Sequence, residues 1–97
     1  VSMRDDPGKE AIDALIAADI LWREIDIGDL IMLEGDLHLR NRLQLQARHP
    51  YQVLCKMRGA SGAQRFVVQS DQTQEVIEVY PAQLCSYQEA QGPVFHA

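Results

Sequence analysis

Two hydrophobic rhythms divide the chain near residue 27. Before that point apolar side chains recur at helical spacing. Ala11, Ala14, Leu15, Ala18, Leu21, Trp22 and Ile25 fall on one face, and Ile12, Ile16 and Ile20 repeat every fourth residue on another flank. Lys9, Asp13, Asp19, Arg23 and Glu24 occupy what remains. Asp6-Pro7-Gly8 supplies a capping carboxylate followed by proline, whose missing N–H costs nothing in a first helical turn. The pattern therefore predicts a helix over residues 6–25. A helix that is apolar on two flanks cannot satisfy both by packing on one small sheet. Either the body wraps the helix, or Ile12, Ile16 and Ile20 form an oligomer interface that meets a second copy or another protein, which is the expectation adopted.

After Gly28-Asp29, a turn signal, the period drops to two. Leu30–Leu33 reads as a buried strand and Glu34-Gly35-Asp36 as a turn. Leu37, Leu39, Leu43, Leu45 and Ala47 then alternate with His38, Arg40, Arg42, Gln44, Gln46 and Arg48, which predicts one long strand interrupted at Asn41 by a bulge or bend. His49-Pro50 ends it. Tyr51, Val53, Cys55 and Met57 alternate with Gln52, Leu54, Lys56 and Arg58 in the next strand. Further strands are expected at Gln64–Gln69, Glu75–Tyr80 and Cys85–Tyr87, with one 3₁₀ turn over Tyr80–Leu84 and a flexible tail over residues 88–97. The expected organisation is one α+β domain over residues 1–97, with the helix at 6–25 and the β body at 28–87.

Short strands joined by a few residues, with a helical turn before the last, resemble an SH3-like small barrel, and Val76-Ile77-Glu78-Val79-Tyr80-Pro81-Ala82-Gln83-Leu84 carries most of the likeness. The resemblance implies an N-terminal helix packed on a five-stranded antiparallel barrel and fixes no activity. Type II dihydrofolate reductases look similar at two places, Gly28-Asp29 and Ile77-Glu78-Val79-Tyr80-Pro81. That family's pore glutamine corresponds to Glu78, and its folate-attracting lysine corresponds to Leu33, followed by Glu34. An acidic pore repels an anionic folate, so the likeness implies the fold without that activity.

Composition sharpens the picture at one point. The 97 residues carry a net charge of −5, yet no acid lies between Asp36 and Asp71, where Arg40, Arg42, Arg48, Lys56, Arg58 and Arg65 make the segment +6 and leave the remainder at −11. Arg40, Arg42, Arg48, Lys56 and Arg58 are the candidate contacts for a partner. Arg40, Arg42 and Arg48 are expected on one strand face, widened by Lys56 and Arg58 from adjoining strands. Together they suit an acidic protein surface. Nucleic acid is the alternative, since alternate strand residues about 6–7 Å apart approach the spacing of phosphates. Plain solvated surface is the third reading. An overall acidic chain with six aromatic residues argues for the protein partner.

Catalytic signatures are missing from the sequence. Ser61 in Gly-Ala-Ser-Gly lacks the nucleophile-elbow pattern. His38, His49 and His96 show no ligand spacing, so no metal is expected, and Asp26, Asp29, Glu34 and Asp36 read as a solvated acidic turn. No cofactor is implied. Cys55 and Cys85 are expected to be reduced and buried. No apolar run approaches the ~18 residues of a membrane span, and a cytoplasmic location is expected. Met3 is the expected natural start. The overall expectation is a non-catalytic, self-associating interaction or regulatory module; a small oligomeric enzyme with a pore site near Glu78 and Tyr80 is the remaining alternative.

Overall fold

The computed structural model describes residues 7–90, and of Pro7–Glu10 the backbone alone. Helix α1 spans Pro7–Glu24, within a residue of the expected span, while its capping Asp6, His96 and the tail beyond Ala90 lie outside the described residues. Eight short strands follow: β1 (Leu30–Leu33), β2 (Leu37–Leu39), β3 (Arg42–Leu45), β4 (Tyr51–Gln52), β5 (Cys55–Arg58), β6 (Gln64–Gln69), β7 (Val76–Val79) and, after a 3₁₀ turn at Pro81–Gln83, β8 (Leu84–Gln88). All the strand pairs are antiparallel, in three small sheets ordered β4-β1-β8, β2-β3 and β5-β6-β7. The fold is α+β. The sheets do not close into a barrel, so the five-stranded SH3-like barrel is replaced by this open arrangement.

Two expected strands turn out to be broken. The run 37–48 is the β2–β3 hairpin, reversed at Arg40-Asn41, whose φ values of 53° and 65° form the pair of left-handed residues that a two-residue hairpin turn requires. The Asn41 interruption was thus a reversal and not a bulge. The run 51–58 divides at Val53-Leu54 into β4, which pairs with β1, and β5, which pairs with β6. The break changes the phase: Tyr51 and Val53 are buried, whereas Cys55 and Met57 are exposed. Both cysteines are exposed free thiols, which corrects the expectation that they are buried. At the other end, Gln88 belongs to β8 and the Ala90 N–H donates to Asp29 Oδ1 at 2.9 Å, so the tail begins later than residue 88.

One core unites the pieces. Ile25, Ile31, Leu33, Leu45, Tyr51, Val53, Phe66, Val68, Ile77 and Val79 cluster in the interior, with Leu21, Trp22, Leu37, Leu84 and Tyr87 packed around them. β1 and β7 alternate buried and more exposed residues, as strands with one face on the core do, whereas β6 buries Phe66, Val67 and Val68 in succession. Gly28, at φ +100°, makes the turn that carries the chain from helix to β1, a conformation only glycine adopts freely. The buried Asp29 carboxylate secures this corner by accepting from the Asp26 N–H at 2.8 Å as well as from Ala90. Among the described residues no helix is long and apolar enough to cross a membrane.

Candidate functional site

Helix α1 is fastened at one end. Its burial begins at Ala18 and is completed by Leu21, Trp22 and Ile25, whereas every residue from Ala11 to Ala17 is exposed. Ile12, Ile16 and Ile20 are 57%, 53% and 49% exposed. Leu15 departs from its assigned face: at 70% it is more exposed than the isoleucines. The reason is geometric. The helix meets the body chiefly through the 3₁₀ turn and β6, and its contacts with β5 and β8 come from Leu21, Trp22 and Glu24 in its last turns. The stripe that should bury Ala11, Ala14 and Leu15 therefore runs past the end of its support. Ile12, Leu15, Ile16 and Ile20 form an apolar ridge left uncovered among the described residues. Beside it, Leu15 and Ala18 face Tyr80, Pro81 and Ala82 across a groove of about 350 Å³.

The expected basic face is divided among separate elements. Arg40 and Arg42 stand at the β2–β3 tip, around a small cleft that also contains Glu75. Arg48, at φ 58°, lies beyond β3 and pairs with Glu34 at 3.3 Å, an exposed contact worth little. Gln44, assigned to the polar side with the arginines, is buried, and its Oε1 accepts from the Thr73 hydroxyl at 2.7 Å. The hairpin therefore presents no continuous arginine track.

Lys56 and Arg58 do act together. They project from alternate positions of β5 toward the indole of Trp22, with Lys56 Nζ 4.6 Å and Arg58 Cζ 4.9 Å from a ring centroid. The ring is held in place by its own Nε1–H, which donates to the Arg65 carbonyl at 3.2 Å. Two cations share one aromatic platform, and among the described residues no carboxylate lies within ion-pair distance of either. Nearby, Asp19 pairs with Arg23 at 3.0 Å, and a Gln64 amide bond at 2.6 Å, assisted by Arg23 and the field of Arg58, holds its carboxyl below the usual range. Trp22 was read as part of the helix core face. Its role with the cations arises from residues more than 30 positions apart, and no local pattern encodes it.

Glu78 and Tyr80, the pore alternative, serve different neighbours. Glu78 pairs with Arg65 on the outer face of β6–β7, while Tyr80, half-exposed, lines the groove beside Leu15. Among the described residues no three His, Cys, Asp or Glu side chains are grouped to hold a metal ion. The most connected polar cluster joins Tyr51, Asp71 and Gln46: the Tyr51 hydroxyl donates to Asp71 Oδ1 and the Gln46 amide donates to Asp71 Oδ2. His49 stacks on Tyr51 with centroids 4.7 Å apart. Each member of that cluster except His49 is engaged in tying strands together.

No protein-family model, curated protein or solved structure matches the chain.

Proposed function

We propose that this chain is a non-catalytic interaction module that self-associates through α1 and offers its cations to an acidic protein partner. The observation that carries the reading is the ridge of Ile12, Leu15, Ile16 and Ile20, which is not covered by any of the described residues. Roughly half of each of four large aliphatic side chains amounts to on the order of 400 Å² of apolar surface, the size of the largest patch on a typical monomer, which is often a functional one. It also approaches the apolar share of a standard interface, which buries about 800 Å² per partner, somewhat over half of it non-polar. A second copy is the occupant this area suits, because a two-fold contact between ridges buries both at once.

The acidic partner is supported by Lys56 and Arg58, two cations side by side with no carboxylate partner among the described residues. Nucleic acid through the same arginines is less well supported. Arg40, Arg42 and Arg48 sit on a tip and a turn instead of tracking a backbone, and the Trp22 ring already carries two cations where a base would stack.

Light scattering on Ile16→Asp tests self-association. Ile16 is exposed, so the variant keeps its fold by circular dichroism, and a charge in the ridge is expected to reduce the mass to that of one chain. An unchanged oligomer would overturn the assignment of the ridge.

A further inference from the structure

Strand β5 lies at the end of its sheet, paired with β6 on one side and, among the described residues, with no strand on the other. An unpaired edge is a template for another extended chain, and proteins ordinarily protect such edges. Here the protection is selective. On the face that meets Trp22 the strand carries Lys56 and Arg58; on the opposite face it carries Cys55 and Met57, both exposed, with the exposed Leu54 just before them. A two-fold antiparallel pairing of β5 with a second copy sets these cations against themselves in the two registers that overlap three of its four residues, where Lys56 meets either Lys56 or Arg58. In those registers the edge rejects its own kind.

We propose that the β5 edge is a docking site for an extended acidic segment of a partner protein, added as a further strand. The segment it fits alternates acidic with apolar residues. The acids, spaced about 6–7 Å apart, lie opposite Lys56 and Arg58, and the apolar residues lie opposite Cys55 and Met57. Trp22 contributes by fixing the two cations. Long side chains held against an indole lose less freedom on binding than free ones, so the charges are aligned before the partner arrives. Main-chain bonds along the edge supply affinity, and the charge pattern supplies the choice of partner.

This inference rests on the interaction-module reading and names one of its surfaces. The test is fluorescence anisotropy with a labelled alternating Glu-Val octapeptide, titrated with the full chain at low and moderate salt. Saturable binding is expected, weakening several-fold as salt rises. It should fall at least tenfold in both Lys56→Glu/Arg58→Glu and the milder Lys56→Gln/Arg58→Gln, each checked for fold by circular dichroism. A peptide of the same sequence with N-methylated alternate amides should lose binding, because it cannot pair with the edge. Ile16→Asp should bind the peptide as the parent chain does, which separates this site from the helix ridge. No binding by the parent chain, binding that survives both double substitutions, equal binding of the methylated peptide, or preferential binding of a labelled oligonucleotide would each overturn the proposal. The mass of the same samples, read in parallel, reports on self-association independently.

Discussion

The Tyr51 hydroxyl donates to Asp71 Oδ1 at 2.7 Å and accepts from the Gln46 N–H at 2.7 Å, joining β4, the β6–β7 turn and the end of β3. One phenol thus ties together all three sheets. Burial, reinforced by Asp71, pushes its pKa up to about 12 from an ordinary 10.0. The folded chain therefore holds this proton more tightly than the unfolded chain does. The corresponding stability is fully present below pH 10 and is lost as pH rises through 12.

Tyr51→Phe is expected to cost about 1–2 kcal/mol at neutral pH, by removing the acceptor of the Gln46 backbone N–H and the donor to Asp71 Oδ1. It should also flatten the alkaline limb of a denaturation series between pH 10 and 12. On the acid side the sign reverses. The Tyr51 hydrogen bond lowers the Asp71 carboxyl, so its contribution is present above the ordinary carboxylate pKa near 4 and disappears below it. Asp71→Asn should be destabilising at pH 7 and show a shallower acid limb.

Ser70 is a second joint, buried between β3 and the β6–β7 turn. Its hydroxyl donates to the Gln44 carbonyl at 2.6 Å and accepts the Gln72 and Thr73 N–H groups at 3.0 Å. Ser70→Ala leaves those groups unpaired inside the protein. The expected loss is about 1–3 kcal/mol, measurable by urea denaturation, whereas a surface serine such as Ser61 should tolerate the same change without measurable loss.

The β2–β3 turn is held in a conformation its residues do not prefer. Arg40 and Asn41 both have positive φ, and asparagine followed by glycine is the pair this turn favours. Arg40→Asn with Asn41→Gly is expected to stabilise the chain by about 1 kcal/mol, a rise in melting temperature of about 4–8 °C for a domain of this size. A fall in melting temperature would mean that Arg40 makes a contact worth more than the strain.

Trp22 is expected to matter to the body and to its charge. Trp22→Phe keeps a ring beneath Lys56 and Arg58 but loses the bond to the Arg65 carbonyl, for a cost of about 1 kcal/mol in thermal or urea unfolding. Trp22→Ala removes the platform as well. Its cost should exceed that of the phenylalanine variant by at least as much again, since half-buried apolar surface and both cation contacts are lost.

Much of the fold was legible in the sequence, for local reasons. The helix, β1, β6 and the 3₁₀ turn follow from spacing, β-branched runs and proline, and all stand close to where those signals put them. Local signals failed where a continuous alternation concealed a change of partner. Residues 37–48 keep the same apolar-polar rhythm through a hairpin, because Arg40 and Asn41 adopt left-handed geometry without the glycine that would announce it. At Val53-Leu54 the rhythm also persists while the chain passes from one sheet to another, which turns Cys55 and Met57 outward and Lys56 and Arg58 toward the indole. The isoleucine ridge was readable because its period differs from that of the packed stripe. Leu15 was not, since its exposure depends on where the body ends and not on its own neighbours in sequence.

The central claim is that the exposed ridge of α1 joins copies of this chain, and sedimentation equilibrium across a range of protein concentrations tests it most directly. The parent chain should show a mass at least twice its 10.9 kDa that dissociates on dilution, and Ile12→Asp/Ile16→Asp should remain at 10.9 kDa throughout. A parent chain that sediments as a single copy at every concentration would contradict the account.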